Sequence, residues 1–468
     1  MVMGEMLEET ETAVLGAGPG GYVAALRLGQ LGKQVVLVDR KALGGVCLNQ
    51  GCIPSKALIH ATQFLSDPKH AKKMGIDFEK AKVHLEKLDA WKKAGIEKLE
   101  KGIATLCKKR NVEIVRGTGK FESQNRLRVE SPHEVRVIEF KHAIIDTGSK
   151  PISIPGLDLG DPLIMDSEEA LQVAHIPKEL VIIGAGYIGI ELGTVFAKLG
   201  SQVSIVQRSE RILSNVEEEA ALIVQKQLEE IGAHLFLNSH FKKVSTTRSR
   251  VTIQLVTPEK RIDLHADKVL IALGRKPNTD GMGLENTKVQ LDEKGFIRIN
   301  DRCQTSAPTI FAVGDVTGPP LLAHRAFRMG KIAAEAIAGL PVSFDNVAIP
   351  SVVFSDPEIA SVGITEKEAR EQGKEVLVGK FPFCNLGRAV STDKTLGFVK
   401  IIAEKQSQVI LGVQIVGEHA SDMIGEASLA MEMGAQLEDI AATIHPHPTF
   451  SEAIMEAAED ALGKSVHQ

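Results

Sequence analysis

Two glycine-rich turns of one design most narrow what this chain can become. In the first, Thr12-Ala13-Val14-Leu15 reads as a short buried strand, and Gly16-Ala17-Gly18-Pro19-Gly20-Gly21 as a turn. A helical pattern runs from Tyr22 to Leu31, and the next strand, Val35-Val36-Leu37-Val38, ends in Asp39, 23 positions after Gly16. In the second, Leu180-Val181-Ile182-Ile183 enters Gly184-Ala185-Gly186-Tyr187-Ile188-Gly189, which opens a helix before the strand Val203-Ser204-Ile205-Val206. Both are G-x-G-x-x-G between strand and helix. Glycines let a pyrophosphate approach the backbone, the helix N-terminus faces its charge, and an acid after the second strand accepts from ribose hydroxyls. A packing turn is the alternative for a lone motif, but strand, helix and Asp39 together favour a dinucleotide. The second unit has Gln207 in place of the acid. A chain with two such units is α/β.

Between them lies Gly44-Gly45-Val46-Cys47-Leu48-Asn49-Gln50-Gly51-Cys52-Ile53-Pro54-Ser55-Lys56. On one regular helix the two cysteines would be separated by an axial rise of about 7.5 Å. A disulfide wants Cα atoms roughly 4.4–6.8 Å apart. A bonded pair therefore needs a bend, which Asn49 and Gly51 suit, with Gly44 and Gly45 loosening the approach. Pro54 favours a helix start, which puts Cys52 at or just before a helix N-terminus, where the dipole stabilises a thiolate. So small a ring is a weak staple, worth about 2 kcal/mol in the chain-entropy model. The stretch reads as a redox pair; two structural thiols or half a metal site are the alternatives, although no second close cysteine pair exists. Two nucleotide units around a thiol pair imply electron transfer between two carriers, one of them a flavin.

The 468 residues suit two to four domains, and the hydrophobic share of 43% with 25% charged is that of a globular protein. A net charge of −5 and an aromatic share of 4% argue against nucleic acid as the main partner. Five cysteines, Cys47, Cys52, Cys107, Cys303 and Cys384, do not make a secreted disulfide framework. The stretch Met1 to Thr10 is acidic and has no signal-peptide core, and a cytoplasmic location is expected. Leu180 to Leu199 is apolar enough to suggest a membrane span, but its glycines, Glu191 and Lys198 fit the nucleotide motif better.

Elsewhere, Ala81 to Lys109 reads as a long amphipathic helix whose Leu85, Leu88, Trp91, Ile96, Leu99 and Ile103 face a core. Short strands are expected at Val112–Val115, Arg126–Val129 and Val135–Phe140, with Ala143–Ser149 running back toward the first turn. Thr309 to Asp315 reads as strand, turn and acid. From about Asn346 the pattern becomes α+β: strands at Ser351–Phe354, Phe398–Ala403 and Ile410–Val416, helices at Ala420–Met433 and Glu452–Leu462.

The cysteine stretch, both glycine turns, Ala312-Val313-Gly314-Asp315 and His445-Pro446-His447-Pro448-Thr449-Phe450-Ser451-Glu452 together resemble the flavin-dependent pyridine nucleotide-disulfide oxidoreductases, and within them the dihydrolipoamide dehydrogenase branch. The resemblance spans almost the whole chain. Mercuric reductases usually carry a cysteine pair near the C-terminus, and this tail has none. The resemblance implies two Rossmann-like domains, for FAD and NAD, plus a C-terminal α+β dimerisation domain. The expected divisions are an FAD domain over 1–150, an NAD domain over 151–275, a return to the flavin side over 276–345 and an interface domain over 346–468. FAD would be held by Gly16, Gly18, Gly21, Asp39, Lys56, Gly148, Gly314 and Asp315, and the nicotinamide nucleotide by Gly184, Gly186, Gly189 and Gln207, with Gly274 among the cofactor residues. Glu191 would pair with Lys56 near the flavin. No metal is expected.

The implied reaction is reoxidation of protein-bound dihydrolipoamide through a Cys47–Cys52 disulfide and FAD, with a hydride passed to NAD. Cys47 is the interchange cysteine, His447 the base and Glu452 its orienting partner; histidine titrates nearest to neutral pH of the side chains. His445 has no partner at that spacing and reads as structural. The His447–Pro448 bond is expected to be cis. In this family the histidine comes from the interface domain, so a homodimer is implied. The implied partners are the lipoyl domains and acyltransferase core of a 2-oxo-acid dehydrogenase complex, or the lipoyl protein of glycine cleavage. Gln207 carries no charge to repel a 2′-phosphate, and Arg208 and Arg211 lie just beyond it. NAD remains the expected acceptor, with weaker discrimination against NADP than usual; solvated surface arginines are the alternative. A related reductase using NADPH and another disulfide is the alternative activity.

Overall fold

The computed structural model describes residues 6–77 and 81–468, with side chains from residue 7 onward except at 67–70. Its contacts form two compact units. One comprises the described residues through Ala57, His84–Ile152 and Gly274–Asp345, and the other holds the remaining described residues.

The first unit is built on a sheet whose centre is β1 (Met6–Leu15). From it the chain passes through α1 (Pro19–Gln30), β2 (Val35–Asp39), α2 (Gly45–Gln50), the start of α3 (Cys52–Lys73), α4 (Leu85–Lys109) and β3 (Val112–Arg116). Then come β4 (Thr118–Ser123), β5 (Arg126–Glu130) and β6 (Val135–Ile145). The order is β3-β2-β1-β6-β5-β4, and the strand Ile310–Ala312 pairs with β6. β1 runs parallel to β2 (Leu15 opposite Val38) and to β6 (Leu15 opposite Ile145), and Ala312 pairs with Ile145. The parallel strands therefore end at one edge, where Gly16, Asp39, Asp146 and Gly314 emerge. Ligands of open α/β sheets bind outside that edge. Val14, Leu37 and Ile144 are fully buried, as strands covered on both faces require. Each such side chain contributes about 1.5–3 kcal/mol.

The second unit repeats the plan. Strands His234–Phe236, Gln202–Val206, Glu179–Ile183, Lys268–Ile271 and Ile164–Met165 form a parallel sheet in that order. An antiparallel three-stranded sheet, His240–Thr246 with Val251–Val256 and Arg261–Ala266, adjoins in sequence. Beyond Asn346 a five-stranded antiparallel sheet is covered by the helices Ala420–Glu432 and Glu452–Ala461, around a core that includes Phe381, Phe383, Ile415 and Ile454. The apolar stretch Leu180 to Leu199 is a buried strand followed by the helix Tyr187–Leu199, and among the described residues no helix is long and apolar enough to cross a membrane.

Three expectations change. The stripe on α4 is not all core: Trp91 is 54% and Leu99 45% exposed, while Lys92, Ile103 and Cys107 are buried. The inward face keeps Leu85, Leu88, Ile96 and Ile103, leaves out Trp91 and Leu99, and takes the stem of Lys92, whose ammonium meets Asp89 at 3.0 Å. The segments Val135–Phe140 and Ala143–Ser149 are one strand through Ile145, followed by a loop and a short strand, Ser149–Pro151. Asn49 is not the bend: it lies within α2 and its amide donates to the Leu43 and Gly45 carbonyls, while the helix breaks at Gly51.

Candidate active site and nucleotide turns

The two turns agree at atomic detail. Gly16 takes φ +104°, and a Cβ there would lie 2.2 Å from the Asp146 carbonyl oxygen; Gly184 takes φ +109°, and a Cβ there would lie 2.4 Å from that of Ala272. The third glycines, Gly21 and Gly189, would place a Cβ 1.9 Å and 2.0 Å from the carbonyl oxygens of Gly16 and Gly184. Gly18 and Gly186 cap their helices, accepting from Tyr22 N and Ile190 N at 3.0 Å each. Nothing lies within 4 Å of where a Cβ on Gly186 would sit. Bare backbone at a helix N-terminus is what a pyrophosphate needs, so both turns fit a dinucleotide.

The partners of the turns differ. Asp39 accepts from Ala17 N at 2.6 Å and from Lys41 N at 2.7 Å. Gln207 stands in the same place, its Oε1 accepting from Ala185 N at 3.1 Å and its Nε2 donating to Ser209 Oγ at 2.5 Å. Arg208 is exposed, whereas Arg211 donates to the carbonyls of Ser214 (2.9 Å) and Val216 (3.3 Å). Asp315 accepts from Ser149 Oγ at 2.6 Å, and Ser149 is gripped by Arg275 Nε and Nη2, each at 2.7 Å. Gly148, Gly274 and Gly314 all have positive φ around this knot.

The thiol pair rests on the first turn. Gly44 N donates to the Ala17 carbonyl at 2.8 Å, and a Cβ on Gly45 would lie 2.6 Å from Gly18 Cα. Both glycines have positive φ, so the chain reverses here and sets α2, with Cys47, against the nucleotide turn. Gly51 ends α2 at φ −146°, ψ −106°, and α3 starts at Cys52, as the bend argument requires. Neither cysteine is in a disulfide, both are half-buried, and Cys47 is hydrogen-bonded to Cys52. That bond is the largest cause raising the Cys47 thiol above its ordinary value; burial adds to it, and Lys56 on the next turn of α3 acts the other way. Cys107 and Cys303 are buried and Cys384 is exposed, all free. Among the described residues no group of three His, Cys, Asp or Glu side chains is placed to hold a metal ion.

In the second unit, His447 Nδ1 meets Glu452 Oε1 at 2.8 Å, and Thr449 N donates to Glu452 Oε2 at 2.7 Å. The His447–Pro448 bond is cis. The His447 side chain is 74% exposed and that of Glu452 16%, so a held imidazole presents its other face outward. His445 does have a partner, contrary to the spacing argument: its Nε2 meets Glu426 Oε1 at 2.7 Å and its Nδ1 the Thr443 carbonyl at 2.9 Å. Glu426 is nineteen residues away on the helix Ala420–Glu432, and its hydrogen bond raises the His445 imidazole above its usual value. Glu191 is buried and accepts from Phe354 N at 3.0 Å. Lys56 belongs to the first unit and Glu191 to the second.

Sequence reasoning missed Asp146. It is 6% exposed and accepts from Gly21 N at 2.6 Å through Oδ2. Burial holds its carboxyl well above the usual carboxylate range, and Asp315 and Asp39 push it further, against the hydrogen bond from Gly21. The available signal was internal: Ile144-Ile145-Asp146-Thr147-Gly148 corresponds to Leu270-Ile271-Ala272-Leu273-Gly274 in the second unit.

Residues 10–330 match the family described as pyridine nucleotide-disulphide oxidoreductase, and residues 349–458 match its dimerisation domain. The chain belongs to the pyridine nucleotide-disulphide oxidoreductase family. A dihydrolipoyl dehydrogenase of Geobacillus stearothermophilus is 47% identical over 467 residues, covering 100% of this chain and 99% of that one. One from Bacillus subtilis is 45% identical with the same coverage. Among solved structures, LpdA from Mycobacterium tuberculosis superposes with a TM-score of 0.89 at 26% identity, covering 96% of this chain and 99% of the other. RclA of Escherichia coli, an HOCl-induced flavoprotein disulfide reductase, does so with 0.87 at 26%, covering 97% and 99%. This member of the family is a flavoprotein disulfide oxidoreductase with two Rossmann-like domains and a C-terminal dimerisation domain, and its cofactors are FAD and NAD.

Proposed function

We propose that this oxidoreductase reoxidises protein-bound dihydrolipoamide to lipoamide and passes the electrons to NAD. The contact between Cys47 and Cys52 on the flank of the first nucleotide turn carries this reading. The full-length likeness to dihydrolipoyl dehydrogenases selects the substrate.

In the oxidised enzyme Cys47 and Cys52 are joined. His447 Nε2 takes a proton from one substrate thiol, while Glu452 holds Nδ1 and steadies the charged ring. The substrate thiolate attacks Cys47 Sγ, forming a mixed disulfide and releasing Cys52 as thiolate. The second substrate thiol then attacks the substrate sulfur of that mixed disulfide, closing the lipoamide ring. Cys47 leaves and is protonated, so one disulfide is reduced and one dithiol oxidised. FAD, when bound, supplies the two-electron relay from the cysteine pair to NAD.

Gly16, Gly18, Gly21, Asp39, Lys56, Gly148, Gly314 and Asp315 hold FAD in this proposal. Gly184, Gly186, Gly189 and Gln207 hold NAD, and Gly274 and Glu191 are the remaining cofactor residues. The domains run 1–150, 151–275, 276–345 and 346–468. The dimerisation domain supports a homodimer in which each His447 serves the partner's cysteines. The partners are lipoyl domains and the acyltransferase core of a 2-oxo-acid dehydrogenase complex, or the glycine cleavage lipoyl protein, and the location is cytoplasmic. The test is steady-state reduction of NAD by dihydrolipoamide, with glutathione reduction by NADPH as the contrast. Turnover with dihydrolipoamide is expected; activity confined to glutathione refutes the reading.

A further inference from the structure

The chain supplies its own control for reading the first nucleotide turn. Its two turns have the same glycine spacing, the same helix caps and the same close approach of the first glycine to the residue after a parallel strand. That residue is Asp146 in the first turn and Ala272 in the second, and each donates its N–H to the last residue of the central strand, Leu15 or Ile183, at 2.8 Å. Among the described residues no side chain accepts from Gly189 N, whereas Asp146 Oδ2 accepts from Gly21 N. A carboxyl group is therefore added beneath one turn only.

The space for that carboxyl is made by glycines. A Cβ on Gly18 would lie 2.7 Å from Asp146 Oδ2, one on Gly21 3.0 Å from it, and those on Gly20 and Gly314 2.9 Å and 2.6 Å from Oδ1. Oδ2 is committed to Gly21 N, but no hydrogen bond of the described residues ends on Oδ1. Asp146, 6% exposed as a residue, thus presents one unpartnered oxygen beside Gly20, in the first turn of α1, where a pyrophosphate docks. The charged groups that act on it are Asp39 at the end of β2 and Asp315 after the strand Ile310–Ala312; Arg325, on the helix Ala323–Ile337, acts on Asp315 and Cys303. Arg325 is spent on the carbonyl of Gly318 (2.7 Å) and on Thr317 Oγ1 (3.3 Å). The glycine turn contributes no titratable group. The helix dipole favours an anion at this place by up to about 2 kcal/mol, but a bound pyrophosphate takes the same dipole and adds repulsion.

We propose that Asp146 is a flavin-positioning residue that works as a neutral acid: Oδ2 accepts from Gly21 N while the protonated Oδ1 donates to the pyrophosphate of the flavin nucleotide. A carboxylate there has only acceptors and faces a second anion; the acid has one donor and no charge. Burial and the two neighbouring carboxylates already hold the group toward its protonated form. Flavin binding is then linked to one proton. Above the pKa of the flavin-free protein the Kd for FAD rises by up to about ten-fold per pH unit.

This inference rests on the FAD reading, and the experiment separates the two. Holoenzyme is diluted between about pH 6 and about pH 9, and released FAD is followed by its fluorescence, for the parent, Asp146→Asn and Asp146→Ala. The asparagine keeps an oxygen for Gly21 N and an N–H for the phosphate without titrating; the alanine copies the second turn. Flavin retention by the parent is expected to fall with rising pH, that of Asp146→Asn to stay flat and tight, and that of Asp146→Ala to stay flat and weaker. A parent with a flat Kd, or an Asn or Ala variant with the parent's slope, overturns the role of Asp146. Should Asp146→Asn fail to fold, the slopes of the parent and Asp146→Ala decide. A folded parent that binds no flavin at any pH refutes the FAD reading itself.

Discussion

Replacing Glu452 by glutamine tests how the imidazole of His447 is held. The carboxylate makes two contacts, Oε1 with His447 Nδ1 at 2.8 Å and Oε2 with Thr449 N at 2.7 Å. A carboxylate only accepts, so Nδ1 carries the proton and Nε2 keeps the lone pair that a base needs. Glutamine has the same shape but one accepting oxygen. Thr449 N is a fixed donor and claims it, leaving the amide N–H facing Nδ1. Nδ1 must then accept, the proton moves to Nε2, and Nε2 cannot take a thiol proton. The opposite amide orientation sets two donors against each other at Thr449, which costs about 1–3 kcal/mol. That gap alone traps the wrong tautomer by roughly five- to 150-fold. Loss of the charge that steadies the imidazolium takes the expected fall in kcat to about 10²–10⁴. The assay is steady-state turnover of dihydrolipoamide with NAD, alongside flavin absorbance. The KM for dihydrolipoamide and the flavin content should hold, and Glu452→Asp, which keeps the charge, should lose less. A glutamine variant within about three-fold of the parent refutes the assignment.

Oxidised protein should lose two titratable thiols that return on reduction, and Cys47→Ser should abolish lipoamide turnover with flavin still bound; five free thiols after oxidation would contradict the disulfide. Gln207→Glu keeps the acceptor for Ala185 N and adds a charge, so kcat/KM for NAD over NADP should rise by about ten-fold. An unmoved ratio means that residue 207 does not read the ribose. Lys400 is 5% exposed and meets Glu217 at 3.0 Å and Glu219 at 3.1 Å. Lys400→Met strands the Glu217 carboxylate and should destabilise the fold by about 3 kcal/mol in denaturant unfolding, partly restored by Glu217→Gln; an unchanged midpoint would show that the network is idle.

What could be read in the sequence follows from how far apart in the chain the partners lie. The glycine turns, the strands beside them and the break between Cys47 and Cys52 are set by neighbours, and each stands within a few residues of its expected place. His447 and Glu452 are five apart, so spacing shows the pair; His445 and Glu426 are nineteen apart on separate elements, so spacing hides it. Periodicity gave α4 its length, but the face it buries depends on what packs against it, and Trp91 lies outside that contact. Asp146 is the sharper case, because an acid after an apolar strand reads as the strand's wet end. Only laying the chain on itself exposes it. Gly16–Gly21 and Gly184–Gly189 share the φ of their first glycine, their helix caps and their close approaches, and two partner positions differ: Asp39 against Gln207, and Asp146 against Ala272. Both differences remove a carboxyl from the second turn, and in the proposed reading the acids around a constant turn are what fit it to a different nucleotide.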